Sequence, residues 1–340
     1  MNAASAPERF LVTGALGCIG AWTVRALVRD GVPVVSYDLG GDRRRLAQIM
    51  TDDELAAVTF DAGDITDLDA VQETLEEHEI TNVIHLAALQ VPFSRANPPL
   101  GAAVNVVGTV NLFEAVKRSR GPMAPLVYTS SIGAFSAADA NPETHRLEES
   151  AEGHPTTHYG VYKRANEGTA RVYALDDGIP SIGLRPMTVY GAGRDQGLTS
   201  SPTTAIAAAV LGVPYTIAFG GRTLFQYAED VAETLLAASR STLDGAHIFN
   251  LGGSSVDMPA WIAAIERAVP EAAGSITFES TELPFPSEIE HGSLAALGPL
   301  PVTPYEDGIQ ATVDVFRRLA ADGRLVGTEQ GLRVAATQPR

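Results

Sequence analysis

The strongest constraint on this chain is the run from Phe10 to Asp38, where two apolar stretches flank a glycine-rich turn and a stretch of helical period. Phe10-Leu11-Val12-Thr13 is short and apolar with a β-branched end, the pattern of a buried strand. It stops at Gly14-Ala15-Leu16-Gly17-Cys18-Ile19-Gly20. Ile19, Trp22, Val24, Leu27 and Val28 then recur with a helical period as far as Asp30-Gly31. Strand, glycine turn and helix in that order form a phosphate cradle. The backbone turns tightly enough to approach a pyrophosphate, and the unpaired N–H groups of the helix N-terminus face the anion. The glycines are spaced G-x-x-G-x-x-G, one residue longer in the first gap than G-x-G-x-x-G. Cys18 lies within the turn, where a helix N-terminus would depress a thiol pKa, although a small packing residue would also suit the position.

A second strand, Val32 to Asp38, ends in an acid eighteen residues after Gly20. A carboxylate there accepts from a ribose diol and repels a 2′-phosphate, so NAD is expected over NADP. Arg43, Arg44 and Arg45 follow closely and offer the competing reading of a phosphate contact. The same rhythm continues with a strand at Ala57–Asp61, a helix at Leu68–Glu77, a buried strand at Asn82–Ala88, a long helix at Pro99–Ser119 and a strand at Pro125–Ser130. Such alternation implies an α/β fold, a Rossmann-type doubly wound parallel sheet.

The net formal charge of −17 disfavours nucleic acid and anionic membranes as partners. No apolar run is read as long enough to span a bilayer. A single cysteine excludes an internal disulfide and suits a reducing cytoplasm. The seven histidines form no HExxH or paired ligand spacing, so no metal is expected. A small-molecule enzyme fits best.

Farther along stands Tyr159-Gly160-Val161-Tyr162-Lys163. On a helix, Tyr159 and Lys163 share a face one turn apart. An ammonium there favours the phenolate and lowers a pKa otherwise near 10 toward a working value. Tyr162 is off that face and reads as packing.

Thr13-Gly14-x-x-Gly17-x-x-Gly20, Asp38, Asp64-Ile65, His85-Leu86-Ala87-Ala88, Asn105, Thr129-Ser130-Ser131, Tyr159-x-x-x-Lys163, Leu184-Arg185-Pro186 and Val189-Tyr190-Gly191 occur in that order. In this the chain resembles the extended short-chain dehydrogenases/reductases, the NAD-dependent epimerase/dehydratase group. The resemblance implies that Gly14, Gly17 and Gly20 cradle the pyrophosphate, Asp38 holds the adenosine ribose, and Asp64 and Ile65 flank the adenine. It also sets Cys18, Ile19, Leu86, Ala87, Ala88, Asn105, Ser130, Pro186 and Val189 along the cofactor. Tyr159 becomes the general base or acid, Lys163 the ribose ligand that depresses its pKa, and Ser131 the group that holds the reacting oxygen. Two adjacent helices of relatives pair across a dimer, so a homodimer is expected.

Two departures narrow the chemistry. Dehydratases of the group carry an Asp-Glu pair after the serine or threonine, whereas Ile132-Gly133-Ala134 stands here. Nucleotide-sugar epimerases place an arginine for the diphosphate seven residues before Asp230; that position is Thr223, with Arg222 one residue off. The expected substrate is therefore a small sugar, polyol or sugar acid oxidised by NAD. A sugar or nucleotide-sugar epimerase working through a transient ketone is the alternative, and a non-catalytic NAD-binding regulator a third reading. Gln90, Phe93, Ser131, Thr188, Arg194 and Arg222 are the candidates to face substrate. Residues 1–190 and 224–256 are expected to form the NAD domain, 191–223 and 257–325 a smaller substrate lobe, and 326–340 a flexible tail.

Overall fold

Seven short strands, most of them apolar runs, form the centre of the molecule: β1 (Phe10–Thr13), β2 (Val34–Asp38), β3 (Thr59–Ala62), β4 (Asn82–His85), β5 (Leu126–Thr129), β6 (Ser181–Arg185) and β7 (Ala246–Asn250). The computed structural model describes residues 7–119, 123–144, 146–328 and 331–334. The sheet order is β7-β6-β5-β4-β1-β2-β3, and every pairing is parallel. A parallel sheet is covered on both faces, so alternate residues of one strand must feed opposite cores. Phe10 and Val12 enter one apolar cluster while Leu11 enters the other, and Val34 and Val35 divide in the same way.

One face is covered by α1 (Cys18–Arg29), through Trp22, Val24 and Leu27. The other is covered by α2 (Leu68–Glu77), α3 (Pro98–Arg118) and α4 (His158–Asp177), through Val71, Leu75, Leu112, Phe113 and Ala170. Phe113 stacks on Tyr173 at 4.8 Å and fixes α3 against α4. α3 departs from the reading that no run reaches membrane length: its 21 residues are apolar enough by length and composition. Half of its most apolar stretch is buried inside the fold, and a π-helical turn, Ala103–Val107, interrupts it.

Beyond β6 the chain adds a second sheet besides β7. The strands Thr188–Tyr190, Arg222–Tyr227 and Ser254–Asp257 form a three-stranded sheet. Its helices are α5 (Ser201–Leu211), α7 (Met258–Ala268) and α8 (Tyr305–Ala321), while α6 (Ala228–Ser239) returns to pack on α1. Trp261 lies 3.8 Å from Phe225 in a stack and 4.9 Å from Tyr190 edge-on, inside the same cluster that covers the sheet. Within the tail expected from residue 326, Leu325–Thr328 pairs with Gly331–Val334 as a two-stranded hairpin, and residues 335–340 lie outside the described ones.

Candidate active site

β1 and β4 are neighbours although β2 follows β1 in sequence, so strand order reverses at their carboxyl ends and opens a crevice there. The turn after β1 enters that crevice at Gly14. Its φ of +67° is a left-handed conformation, and a Cβ would stand 2.6 Å from Ala87 N on the loop after β4. Only glycine satisfies both demands. A cavity of about 410 Å³ runs from here over Gly17, Cys18, Ile19 and Gly20 to Asp38, Asp64 and Ile65, with Leu86, Ala87 and Ala88 as its other wall. All eleven of these cofactor positions expected from sequence thus border one space.

Asp38 ends β2 beside the glycine turn. Its Oδ2 accepts from Leu16 N at 3.0 Å and its Oδ1 from Leu39 N at 2.9 Å, which fixes the carboxylate at the cavity rim. The three arginines downstream all have partners, although Arg45 itself lines the cavity. Arg43 lies over the Phe60 ring at 3.5 Å, and Arg44 and Arg45 both bind Asp195, at 3.2 and 2.7 Å. Arg45 also donates to Leu16 O at 2.9 Å, so the segment Gly193–Gln196 is strapped across the cavity onto the glycine turn. Burial pushes the Cys18 thiol up to about 11, which favours the reading of a small packing residue over that of a depressed thiol.

A second cavity of about 170 Å³ joins the first at Ile19, Leu86, Ala88, Gln90, Thr129 and Arg194. Ser130, Ser131, Tyr159, Lys163, Pro186, Thr188 and Val189 line it. β5 delivers the serines. Ser131 caps a short 3₁₀ turn, Ile132–Ala134, its Oγ accepting from Gly133 N at 3.0 Å. α4 delivers the phenol and the ammonium. Thr157 Oγ1 caps α4 by accepting from Gly160 N at 3.0 Å. A Cβ at Gly160 would overlap the Gly133 carbonyl, so this glycine lets α4 approach the serine turn closely enough to set Tyr159 beside Ser131 at Gly133.

The electrostatics differ from the simple pairing expected on the helix face. Lys163 is 4% exposed; its Nζ donates to Thr129 O at 2.7 Å and lies 5.5 Å from the Tyr159 ring centre. Burial lowers its pKa to about 8, opposed by Glu167. Burial also raises the Tyr159 phenol above its ordinary value, and the groups that oppose this are Ser131, by hydrogen bonding, and Arg194, by charge. The depression expected from Lys163 is not among these effects, and desolvation is the largest of them. Behind Lys163, His85 bridges Thr13 Oγ1 at 2.7 Å and Thr109 Oγ1 at 3.1 Å, and burial lowers its pKa to about 3. It is a neutral spacer under the site.

Three expected site residues sit elsewhere. Asn105 spends its amide on Leu89, accepting from its N at 2.8 Å and donating to its O at 3.0 Å, so it shapes the loop after β4 instead of facing the cavities. Phe93 is 46% exposed and borders neither cavity. Arg222 turns to Ser255 O at 3.0 Å and Asp257 Oδ2 at 3.2 Å. Met187, Leu198, Thr199 and Phe285 line the second cavity without a signal in the sequence reading. Ser130 borders it but commits its Oγ to Glu167 at 2.6 Å.

Residues 10–252 match the family model described as NAD dependent epimerase/dehydratase family. The chain is 28% identical to the UDP-glucose 4-epimerase of Mycolicibacterium smegmatis over 321 residues, covering 91% of this chain and 98% of that protein. It is 30% identical to UDP-glucuronate 4-epimerase 6 of Arabidopsis thaliana over 190 residues, covering 53% of this chain and spanning only 39% of that longer protein. The UDP-glucose 4-epimerase of Thermus thermophilus, solved in complex with NAD, superposes with a TM-score of 0.75 at 28% identity, covering 91% of this chain and 99% of that one. With its dinucleotide crevice and its serine, tyrosine and lysine gathered at one end of it, this chain belongs to the NAD-dependent epimerase/dehydratase family and is an NAD-dependent enzyme of the extended short-chain dehydrogenase/reductase type.

Proposed function

We propose that the enzyme oxidises a secondary alcohol on a small sugar, polyol or sugar acid and releases NADH. The observation that carries this reading is the size and charge of the reaction cavity. Its volume is about 170 Å³, and its charged lining residues are Lys163 and Arg194. Drug-sized ligands occupy roughly 300–1,000 Å³. The residues present fit NAD: the glycine turn, which packs against Ala87 too closely for any side chain at Gly14, borders the cofactor cavity, and Asp38 stands at the same cavity for a ribose diol.

Bound NAD supplies the hydride acceptor. Ser131 holds the substrate hydroxyl, and the Tyr159 oxygen takes its proton as the carbonyl forms. Lys163 offers its ammonium to the nicotinamide ribose, anchored from behind by the Thr129 carbonyl. Pro186 and Val189 add apolar wall to the same cavity.

Epimerisation through a transient ketone is the second reading, supported by the relatives named as UDP-glucose and UDP-glucuronate 4-epimerases. The two separate in one experiment, in which protein, NAD and a panel of polyols, sugars, sugar acids and UDP-sugars are mixed and nicotinamide absorbance is followed. Stoichiometric NADH supports oxidation; an epimer formed without NADH overturns it.

The strap across the cofactor cavity bears on the same choice. Asp195 accepts from Arg44 and Arg45 of the NAD domain. Asp195→Asn is expected to speed NAD dissociation about tenfold, with a smaller difference at high salt, since these pairs are partly exposed and screened. Stopped-flow displacement of bound NADH measures it.

The assembly is proposed to be a homodimer. Leu100 and Val107 on α3 and Val161, Val172 and Leu175 on α4 are all about half exposed or more. Their spacings set each group on one helix face, and the two helices are neighbours. Light scattering that finds a monomer at working concentration would sink this proposal.

A further inference from the structure

We propose that Arg194 sets the substrate specificity of this enzyme by binding a carboxylate on the substrate itself, close to the carbinol that is oxidised, in place of a nucleoside diphosphate. This rests on the oxidation reading above and names its substrate class as small hydroxy acids, among them free hexuronates.

Arg194 follows the strand Thr188–Tyr190 and borders both the cofactor cavity and the reaction cavity. Its Nη2 donates to Thr199 Oγ1 at 3.0 Å, and its Nε is buried without a hydrogen-bond partner. The adjacent carboxylate, Asp195, is already bound by Arg44 and Arg45. Among the described residues Arg194 therefore has no ion-pair partner, unlike those two arginines. A partly desolvated guanidinium with an unused donor is costly until an anion completes it. Its charge reaches the reacting end of the site, where it opposes the rise in the Tyr159 pKa.

The remaining charges say which anion. A diphosphate needs several fixed cationic or N–H donors. The sequence has no lysine or arginine between Arg267 and Arg317, the stretch that supplies Phe285 to the cavity wall. That stretch carries Glu279, Glu282, Glu288 and Glu290 instead. Arg222 is turned away to Asp257. One planar guanidinium facing a small cavity matches one carboxylate, with Thr199 holding it in place. In the reaction the carbinol gives a hydride to NAD and its hydroxyl proton to Tyr159, leaving a keto or lactone acid, NADH and one proton.

The test uses the full chain with NAD and follows NADH formation from glucuronate, gluconate and glycerate, from their neutral counterparts glucose, glucitol and glycerol, and from UDP-glucuronate. Ligand-induced thermal shifts of the NADH-loaded protein are read in parallel. The acids are expected to exceed their neutral counterparts by about a hundredfold in kcat/KM, and Arg194→Met to remove that advantage while NAD affinity stays within about threefold. Arg194→Lys should recover about tenfold of the loss. The proposal is overturned if neutral compounds serve equally well, if Arg194→Met weakens NAD instead of the acids, if UDP-glucuronate is preferred through Arg194, or if no acid reacts or binds. Acids that bind through Arg194 without yielding NADH leave the carboxylate assignment standing and remove the oxidation reading.

Discussion

Replacing Tyr159 with phenylalanine is expected to lower kcat by about three orders of magnitude, with the Kd for NAD changed less than about threefold. The change removes one oxygen and leaves the ring packed between Gly133 and Lys163. What disappears is the hydroxyl that shares the cavity wall with Ser131, the only phenol among the described residues there. General acid–base catalysis contributes roughly 10²–10⁴-fold, so the loss falls in that range or beyond it. Desolvation holds this phenol above its ordinary pKa in the free protein. A base at neutral pH therefore depends on positive charge arriving with the oxidised cofactor, and on Arg194 and Lys163 around it. Steady-state kinetics together with NAD titration of the variant decide the matter. Near-normal turnover would remove Tyr159 from the mechanism, whereas lost NAD binding would assign it a structural role.

Glu167→Leu is expected to destabilise the fold by about 3–5 kcal/mol, the usual cost of stripping one partner from a buried ion pair. Glu167 is 4% exposed and accepts four charge-bearing or hydroxyl contacts: from Arg185 Nε at 2.7 Å, Arg185 Nη2 at 2.9 Å, Arg164 at 2.7 Å and Ser130 at 2.6 Å. These join α4 to β6 and to the end of β5, so they tie the helix of Tyr159 and Lys163 to the turn of Ser131. Glu167→Gln keeps the shape but not the charge and should recover only part of the loss. Despite its burial, Arg185, Ser130 and Arg164 hold the Glu167 carboxyl below its ordinary pKa. Its contribution is therefore present above the unfolded value of 4.5 and disappears as pH falls below it. His85 acts over a wider window. Its folded pKa of about 3 lies under the unfolded 6.5, so the unfolded chain takes up the proton first, and stability drains as pH falls from 6.5 toward 3. Urea midpoints of wild type and Glu167→Leu across that acid range would show both effects; a midpoint unmoved by Glu167→Leu would mean that the network contributes nothing net.

Much of this was visible along the chain, because the decisive features are local. The turn after β1 is legible since φ and close approach select glycine at Gly14, and the acid closing β2 is legible since strand length fixes where Asp38 emerges. Tyr159 and Lys163 share a face by helix geometry alone. Arg222, by contrast, carries the right chemistry one position from the expected one, and the pairing of its strand with Ser254–Asp257 turns it toward Asp257. Phe93 lies in a short helix, Val91–Ala96, whose register leaves it in solvent. Gly160 carries no local signal: its need arises from the carbonyl of Gly133, on a distant part of the chain.

The order of amino acids, through periodicity and backbone sterics, determined the doubly wound sheet, the glycine turn and the helix that sets Tyr159 and Lys163 on one face. Tertiary structure alone decided how large the second cavity is, which arginine faces it and that burial lifts the phenol above its ordinary pKa. Those quantities depend on atoms brought together from β5, α4, the loop at Leu198–Thr199 and Phe285, and both desolvation and charge act through space, whatever the separation along the chain.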